Sequence, residues 1–262
     1  MALLTTDAVI LQLRDYLESS RLVRLATRDA GIVSAIARGA RRQRGKSGSP
    51  LDLFARGTAQ IHVRPTRDLQ TLGGFEVGQG RAGFASDLDR FLAASAVAEV
   101  ALAVLHEEAN EAAFDVLAHT LDELGSVPAS HIDTAALGGI WRLVATLGFA
   151  PSLDLCAACH ARVDGTVSGL YFSPAAGGVL CASCVRTAGS HGARRLEGAG
   201  RTLPPGAWRR LADWLADMEG EMPDPLEIKA HRRLLREFLD AHLTGGTPLR
   251  AWEVWSAGGW PV

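Results

Sequence analysis

Apolar and polar residues alternate along the first part of the chain, as they do in strands with one buried face. Val9, Leu11 and Leu13 share one face of the first predicted strand, and extended patterns at residues 22–27 and 32–37 predict two more. Turn-forming residues separate the three strands, so we expect them to form consecutive hairpins.

Two further strands are predicted before residue 80. Residues 58–64 show the clearest pattern, in which Ala59, Ile61 and Val63 alternate with polar residues, and residues 71–77 could form the fifth strand. Five short strands that leave no room for crossover helices favour a small antiparallel barrel. The OB-fold is the leading interpretation.

The remainder of the chain has helical periodicity. Apolar residues recur three and four positions apart between residues 85 and 147, with an interruption at Pro128. Pro204-Pro205 and Pro225 are expected to open two later helices, and Gly245-Gly246 is expected to end the second of them.

Four cysteines interrupt this helical region, and the chain contains no others. They form two C-x-x-C pairs, Cys156-Ala-Ala-Cys159 and Cys181-Ala-Ser-Cys184. A two-residue spacer lets one tight turn direct two sulfurs to a common centre, and two such turns supply the four thiolates of a tetrahedral Zn²⁺ site. We predict one structural Zn²⁺. Because four thiolates leave no open coordination position, this site argues against a metallohydrolase.

Three other interpretations of these residues remain. Cys156 to His160 also spells C-x-x-C-H, the attachment motif of c-type haem, and either pair could be a redox dithiol. His160 or His191 could replace one thiolate at the metal. Haem would leave the second cysteine pair without a role, and a thioredoxin-like dithiol needs a βαβ neighbourhood. Zinc is therefore the preferred interpretation.

The charge is distributed unevenly along the chain. Residues 1–67 contain 12 Lys and Arg against 5 Asp and Glu, a net of +7, whereas the remaining 195 residues contain 15 against 24, a net of −9. Residues 38–49 are rich in Arg, Gly and Ser and predict a basic loop on the barrel. A basic barrel with few acids is typical of a surface that binds a nucleic-acid backbone. The predicted DNA-binding residues are Arg14, Arg21, Arg24, Arg28, Arg38, Arg41, Arg42, Arg44 and Lys46.

Gly78 to Gly83 matches the G-x-G-x-x-G pattern of dinucleotide-binding folds. That fingerprint requires a βαβ unit and an acidic residue about 20 positions further on. The chain instead continues as helix, so an interdomain linker is the preferred interpretation. Because the sequence contains no G-x-S-x-G, Walker A or H-E-x-x-H motif, we predict that the protein is not an enzyme.

Together these patterns predict a multi-domain α+β protein, with an N-terminal antiparallel β-barrel (OB-fold) and an all-α domain that carries an inserted four-cysteine zinc finger. The expected domains are the nucleic-acid-binding OB-fold at 1–80, a first helical part at 81–150, the zinc-finger module at 151–190 and a second helical part at 191–262. Nothing resembles a signal peptide and no apolar run reaches about 20 residues, so we expect a cytoplasmic protein. The predicted binding of DNA would make it nucleoid-associated.

Several segments resemble the bacterial RecO family of recombination mediators. The segments that carry the resemblance are Arg14-Asp15-Tyr16-x-Glu18-Ser19-Ser20-Arg21-Leu22-Val23, Thr27-Arg28-Asp29-x-Gly31, Val33 to Arg42, and Leu147-Gly148-Phe149-Ala150-Pro151 before the cysteines. The stretch from Leu243 to Arg250 resembles the end of the family's sequences.

The resemblance implies an amino-terminal OB-fold, a helical domain and an inserted zinc finger. It also implies binding of single- and double-stranded DNA, annealing of complementary strands and cooperation with RecR. Such proteins help to load RecA onto DNA coated by single-strand-binding protein, whose acidic C-terminal tail they contact. Two other classes of function remain as alternatives: a zinc-containing enzyme of nucleic-acid processing, and a protein–protein scaffold of the repair machinery. No membrane partner is expected.

Overall fold

The chain divides into two compact units. Unit 1 comprises Met1–Val127 together with Arg250–Val262, and unit 2 comprises Pro128–Leu249. The computed structural model describes residues 2–40, 51–79, 82–163, 170–190, 200–218 and 223–258.

A closed five-stranded barrel forms much of unit 1. Its strands are β1 (Ala2–Tyr16), β2 (Ser20–Thr27), β3 (Gly31–Ala37), β4 (Arg56–Val63) and β5 (Leu69–Gln79). Around the barrel they follow the order β1-β2-β3-β5-β4, and all pairs are antiparallel except β3 with β5, which is parallel. The predicted α+β class with an N-terminal barrel is confirmed, and the parallel pair is the one departure from antiparallel pairing.

The middle of the first strand is buried on both of its faces. The barrel core contains Ala8 and Ile10, with Leu13 packed against it, and the β1–β2 register shifts between Ile10 and Gln12. Leu11 is buried on the outer side, where it lines a small cavity with side chains of the first helix. The prediction that Val9, Leu11 and Leu13 share one face was therefore wrong, because the bulge reverses the alternation after Ile10.

Seven α-helices lie within the described ranges. They are α1 (Leu88–Val104), α2 (Glu111–Ser126), α3 (Ile132–Val144), α4 (Ala182–Ser190), α5 (Pro205–Leu215), α6 (Pro225–Leu239) and α7 (Arg250–Ser256). Asp87, Asn110 and Asp224 accept hydrogen bonds from backbone N–H groups in the first turns of α1, α2 and α6, as N-cap residues do. Among the described residues, none of these helices is both long and apolar enough to cross a membrane.

The glycine pattern before α1 belongs to a connection. β5 runs through Gly78 to Gln79, and a short 3₁₀-helix, Ala82–Ser86, leads into α1; residues 80–81 lie outside the described part. The ring of Phe84 packs on Phe54, with ring centroids 5.3 Å apart. No β-strand follows α1 before α2, so this connection lacks the βαβ unit that dinucleotide binding requires.

The first two helices pack with the barrel in unit 1. The turn at Gly31 lies close to the segment between α1 and α2, because the N–H of Ile32 donates a hydrogen bond to the carbonyl oxygen of His106. Gly31 has a φ of 62°, and a Cβ atom there would lie only 2.3 Å from the same oxygen. The compact units divide the chain after Val127 and before Arg250, whereas the predicted domains end at residues 80, 150 and 190. The four-part division into domains stays a prediction.

Unit 2 combines helices with a small sheet. The sheet has the order β7-β6-β8 and consists of β6 (Tyr171–Ser173), β7 (Gly178–Leu180) and β8 (Arg201–Thr202). The strand β8 is only two residues long and shows no strand pattern in the sequence. Its two residues pair with β6, so they depend on a partner some 30 positions away.

A buried histidine lies in the helical part of unit 2. His231 on α6 is fully buried, and its ring lies 4.5 Å from that of Trp214 on α5. Neither ring nitrogen has a hydrogen-bond partner among the described residues. Burial, and secondarily repulsion from Arg210, lowers the pKa of His231 to about 4.

Acid should destabilise the protein through His231. Its ordinary pKa of 6.5 applies to the unfolded chain and a pKa of about 4 to the folded one, so the unfolded chain takes up the proton first as the pH falls below 6.5. The free energy of unfolding should therefore drop by about 3 kcal/mol on going to pH 4. Urea unfolding between pH 7 and 4 should show a smaller drop for His231→Phe than for the wild type. Equal drops, or the same change in a control that replaces the exposed His119 by Phe, would contradict this assignment.

Candidate metal centre and nucleic-acid interface

The four cysteines converge in unit 2. Their Sγ atoms all lie within 4.8 Å of one another, and no disulfide joins them. The Sγ atoms of Cys159 and Cys181 are 3.6 Å apart. Four thiolates around a tetrahedral Zn²⁺, at Zn–S distances of about 2.3 Å, would have sulfurs about 3.8 Å apart. The sequence-predicted metal residues are thus brought together at a spacing that fits a metal ion.

Backbone hydrogen bonds shape the first cysteine turn. The N–H of His160 donates to the carbonyl of Cys156, and the N–H of Cys156 donates to that of Ala161, both at 2.8 Å. His160 has a φ of 60°, which closes the turn in the left-handed region. The N–H of Ala157 donates to the carbonyl of Val179 on β7, so the turn is attached to the strand that leads to the second pair.

The second cysteine pair joins a strand to a helix. Cys181 follows β7 directly, and Cys184 lies in the first turn of α4. Gly178 of β7 approaches Ser152 so closely that a Cβ atom would lie 2.3 Å from the Ser152 carbonyl oxygen. A side chain at position 178 would therefore push apart the segments that carry the two pairs.

The surroundings shift the pKa values of Cys181 and Cys184 in opposite directions. Hydrogen bonds from the Ser183 hydroxyl and the Cys184 N–H lower the pKa of Cys181 to about 6. Contact with the sulfurs of Cys159 and Cys181 raises the pKa of Cys184 to about 12. Four negative sulfurs this close repel one another, so the fully deprotonated group needs a cation. This donor set could hold a metal ion.

The histidines are not needed to complete this group. His160 is exposed and lies outside the four-sulfur cluster, while His191 lies outside the described residues. The convergence of all four cysteines favours a metal ion bound by four thiolates over haem attachment, because haem would use only the first pair.

Arg28, one of the predicted DNA-binding residues, is paired within unit 1. Its guanidinium forms ion pairs with Glu111, at 3.0 Å, and with Asp115, both on α2. It also lies over the ring of Phe114, 5.7 Å from the ring centre. Burial opposes the charge, but Asp115 and Glu111 outweigh it and raise the pKa of Arg28. Arg28 thus connects the barrel to α2.

A second barrel arginine, Arg56, has the same kind of environment. Its guanidinium lies 2.7 Å from a carboxylate oxygen of Asp7 and 3.4 Å from one of Asp122. Hydrogen bonding to Asp7 is the main cause of its raised pKa. The Phe114 ring lies 5.8 Å from this guanidinium too.

The sequence contained an unused signal for these contacts. Glu111, Asp115 and Asp122 are spaced by four and seven positions, so they share one face of α2. An acidic stripe of this kind predicts a basic partner surface. Read with the barrel arginines, it would have predicted that some of them pair within the chain, but not which ones.

Three other predicted arginines share the outer surface of β1, β2 and β3. Arg14 lies opposite Leu22, and Leu22 and Arg24 flank the core residue Val23, so these side chains project outward. Arg38 follows a core residue at the end of β3 and is exposed. None of the three arginines forms an ion pair with another described residue. We refer to the surface carrying Arg14, Arg24 and Arg38 as the arginine face.

The remaining predicted DNA-binding residues divide into two groups. Arg21 lies opposite Asp15 at the end of the hairpin, with 3.4 Å between their charged groups, and donates to the Leu51 carbonyl at 3.1 Å. Outside the described residues lie Arg41, Arg42, Arg44 and Lys46.

Comparisons with known proteins cover nearly the whole chain. A family profile described as "Recombination protein O N terminal" matches residues 1–81, and one described as "Recombination protein O C terminal" matches residues 85–252. The boundary between the two matches falls at the connection between β5 and α1.

Curated relatives agree with these profiles. A protein named DNA repair protein RecO from Rubrobacter xylanophilus is 32% identical over 262 residues, covering 100% of both chains. A protein of the same name from Symbiobacterium thermophilum is 31% identical, covering 92% of this chain and 98% of its own. A third, from Anaeromyxobacter sp. (strain K), is 34% identical, covering 90% and 89%. The chain therefore belongs to the recombination protein O (RecO) family.

Proposed function

We propose that this protein is a recombination mediator that binds single- and double-stranded DNA and anneals complementary strands. Its family supports a function in DNA repair and recombination. In this proposal it acts with RecR to help load RecA onto DNA coated by single-strand-binding protein, and it contacts the acidic C-terminal tail of that protein. Such work on chromosomal DNA would place it at the nucleoid, in the cytoplasm.

The observation that carries the proposal is the contrast between two groups of barrel arginines. Arg28 and Arg56 are neutralised by acids of unit 1. Arg14, Arg24 and Arg38 have no acidic partner among the described residues and share one surface. Uncompensated arginines on one surface attract a phosphate backbone. We therefore assign DNA binding to the arginine face, with Arg41, Arg42, Arg44 and Lys46 as further proposed contacts.

The barrel supports the assignment of an OB-fold. OB-folds are five-stranded Greek-key barrels that bind oligonucleotides on the face of their second and third strands. Here Arg24 belongs to β2 and Arg38 follows β3, so both positive charges lie at the corresponding face. Arg21 and Arg28, which are paired within the protein, receive a structural role in this proposal.

We propose that the cysteine cluster holds one structural Zn²⁺. When bound, the ion would supply the positive charge that keeps four sulfurs deprotonated together. With four thiolate ligands it would have no open position for water, so it would not activate a nucleophile. This supports a mediator that is not an enzyme.

Strand annealing tests the proposed function. The protein should retard labelled single- and double-stranded oligonucleotides in a gel-shift assay. It should also speed the pairing of complementary strands, both bare and coated with single-strand-binding protein. Added RecR should speed RecA loading on the coated strand. Cleavage or other turnover of DNA with added divalent metal would indicate an enzyme instead, and no DNA binding at low salt would indicate a protein–protein scaffold.

A further inference from the structure

One aromatic ring at the end of the barrel has no aromatic partner. Tyr16, the last residue of β1, is 37% exposed, and no aromatic contact or side-chain hydrogen bond links it to another described residue. The other barrel aromatics are engaged in packing. Phe54 is buried against Phe84 and Phe91, and Phe75 packs on the barrel core. Folding therefore leaves Tyr16 as the aromatic ring that the described barrel presents to solvent.

The strand register puts Tyr16 on the arginine face. It follows Arg14 by two positions, so both side chains point to the same side of β1, about 7 Å apart along the strand. Tyr16 lies opposite Ser20 on β2. Arg21 pairs with Ala37, so the next pair in the same register is Ser20 with Arg38. Arg38 therefore lies two strands away from Tyr16, at about 10 Å. Positive charges thus flank the ring along the strand and across the sheet.

Contacts of Arg21 connect the hairpin end that carries Tyr16 to the rest of unit 1. Arg21 forms an ion pair with Asp15 on the opposite strand of the hairpin and donates a hydrogen bond to the Leu51 carbonyl. The next residue, Leu17, adopts a φ of 54°, which is unfavourable for a branched side chain, and it is 74% exposed. The turn thus leaves the side chains of Tyr16 and Leu17 exposed at the tip of the hairpin.

We propose that Tyr16 is a base-stacking residue that makes the arginine face prefer single-stranded over double-stranded DNA. The inference rests on the proposed function, because it assigns a role to Tyr16 within that DNA-binding surface. Phosphates are present in both kinds of DNA, so the arginines cannot distinguish them. A ring can stack on a base only where the face of the base is uncovered, and duplex DNA uncovers base faces only at its ends.

The alternative role for Tyr16 is ordinary packing across the hairpin. In that case its loss would loosen the barrel end and weaken every kind of DNA binding equally. Base stacking predicts a selective effect. Loss of the ring should lower the affinity for DNA whose bases are accessible. It should leave the affinity unchanged for DNA that offers only phosphates.

The experiment measures three affinities of the full-length protein and two variants. The first probe is a single strand of roughly 20 nucleotides, which is longer than a typical binding site. The second is an abasic strand of equal length and charge, and the third is a blunt duplex of the same sequence. Tyr16→Leu should bind the base-bearing strand about tenfold more weakly. It should bind the abasic strand and the duplex within about twofold of the wild type. Tyr16→Phe keeps the ring and should match the wild type on all three probes.

The possible outcomes separate this inference from the function on which it rests. Equal losses on all three probes, or no loss on the base-bearing strand, would overturn the stacking role while leaving DNA binding intact. Failure of the wild type to bind any probe would overturn both. The blunt duplex also serves as the folding control. Equal losses of Tyr16→Leu on all three probes, together with a normal affinity of Tyr16→Phe, would mean that the ring supports the fold of the barrel end and does not stack on bases.

Discussion

Replacing Cys156 by Ser should abolish stoichiometric zinc binding and cause a large loss of stability. Cys156 is fully buried, and its Sγ accepts a hydrogen bond from the Cys181 N–H at 3.3 Å. A serine hydroxyl is a poor zinc ligand at this position, because the soft thiolate is lost and the remaining three sulfurs leave the site open. Structural zinc contributes about 10–16 kcal/mol of apparent binding free energy in isolated zinc-finger peptides.

Only part of that energy should be lost here, because packing also holds the module. Phe172 of β6 is buried against Phe238 of α6, with ring centroids 6.4 Å apart. We expect the free energy of unfolding to fall by at least about 3 kcal/mol. Metal analysis and thermal unfolding, with and without a chelator, measure both effects.

A matched control keeps all four sulfurs. Ser183→Ala removes a hydroxyl that lies 3.0 Å from the Cys181 Sγ, yet it leaves the ligand set complete. This variant should keep one zinc per chain and most of its stability. If the wild type purified without metal and melted at the same temperature before and after chelation, the structural role of zinc would be wrong.

The sequence predicted the clustering of the cysteines better than the strand faces, for a physical reason. Each C-x-x-C turn is local, and no distant contact is needed to recognise the spacing. The faces of β1 depend on a bulge between Ile10 and Gln12 and on the packing of Leu11 near α1, and neither is encoded in the alternation of β1 itself. Alternation located the strand, while tertiary packing decided which of its side chains lie inside.

The same reasoning applies to the arginines. Composition identified a basic N-terminal region but could not separate arginines that bind acids of the chain from those that do not. Arg28 and Asp115 are 87 positions apart in sequence, so their pairing depends on the fold. Arg14 and Arg24 have no such partner among the described residues. The charge of a segment is therefore predictable from sequence, whereas its availability to a ligand requires the structure.

Replacing Arg14, Arg24 and Arg38 together by Ala should weaken single-stranded DNA binding about 100-fold at 0.1 M salt. Each phosphate contact to single-stranded DNA adds about 0.7 to the magnitude of the slope of log K against log salt concentration. Three lost contacts should therefore flatten the slope by about 2, which at 0.1 M salt corresponds to that loss of affinity. Affinities measured between about 50 and 200 mM salt give both quantities.

Two comparisons decide whether the arginine face is the cause. A triple alanine variant at Arg209, Lys229 and Arg233 removes the same charge from exposed positions on α5 and α6. It should leave the salt slope unchanged, because the effect depends on contact with phosphate and not on net charge alone. Arg28→Gln should also keep the slope, since Glu111 and Asp115 already neutralise that guanidinium. If DNA sensed only net charge, the two triple variants would flatten the slope equally and Arg28→Gln would flatten it about one third as much. That result would mean that the arginine face has no special role.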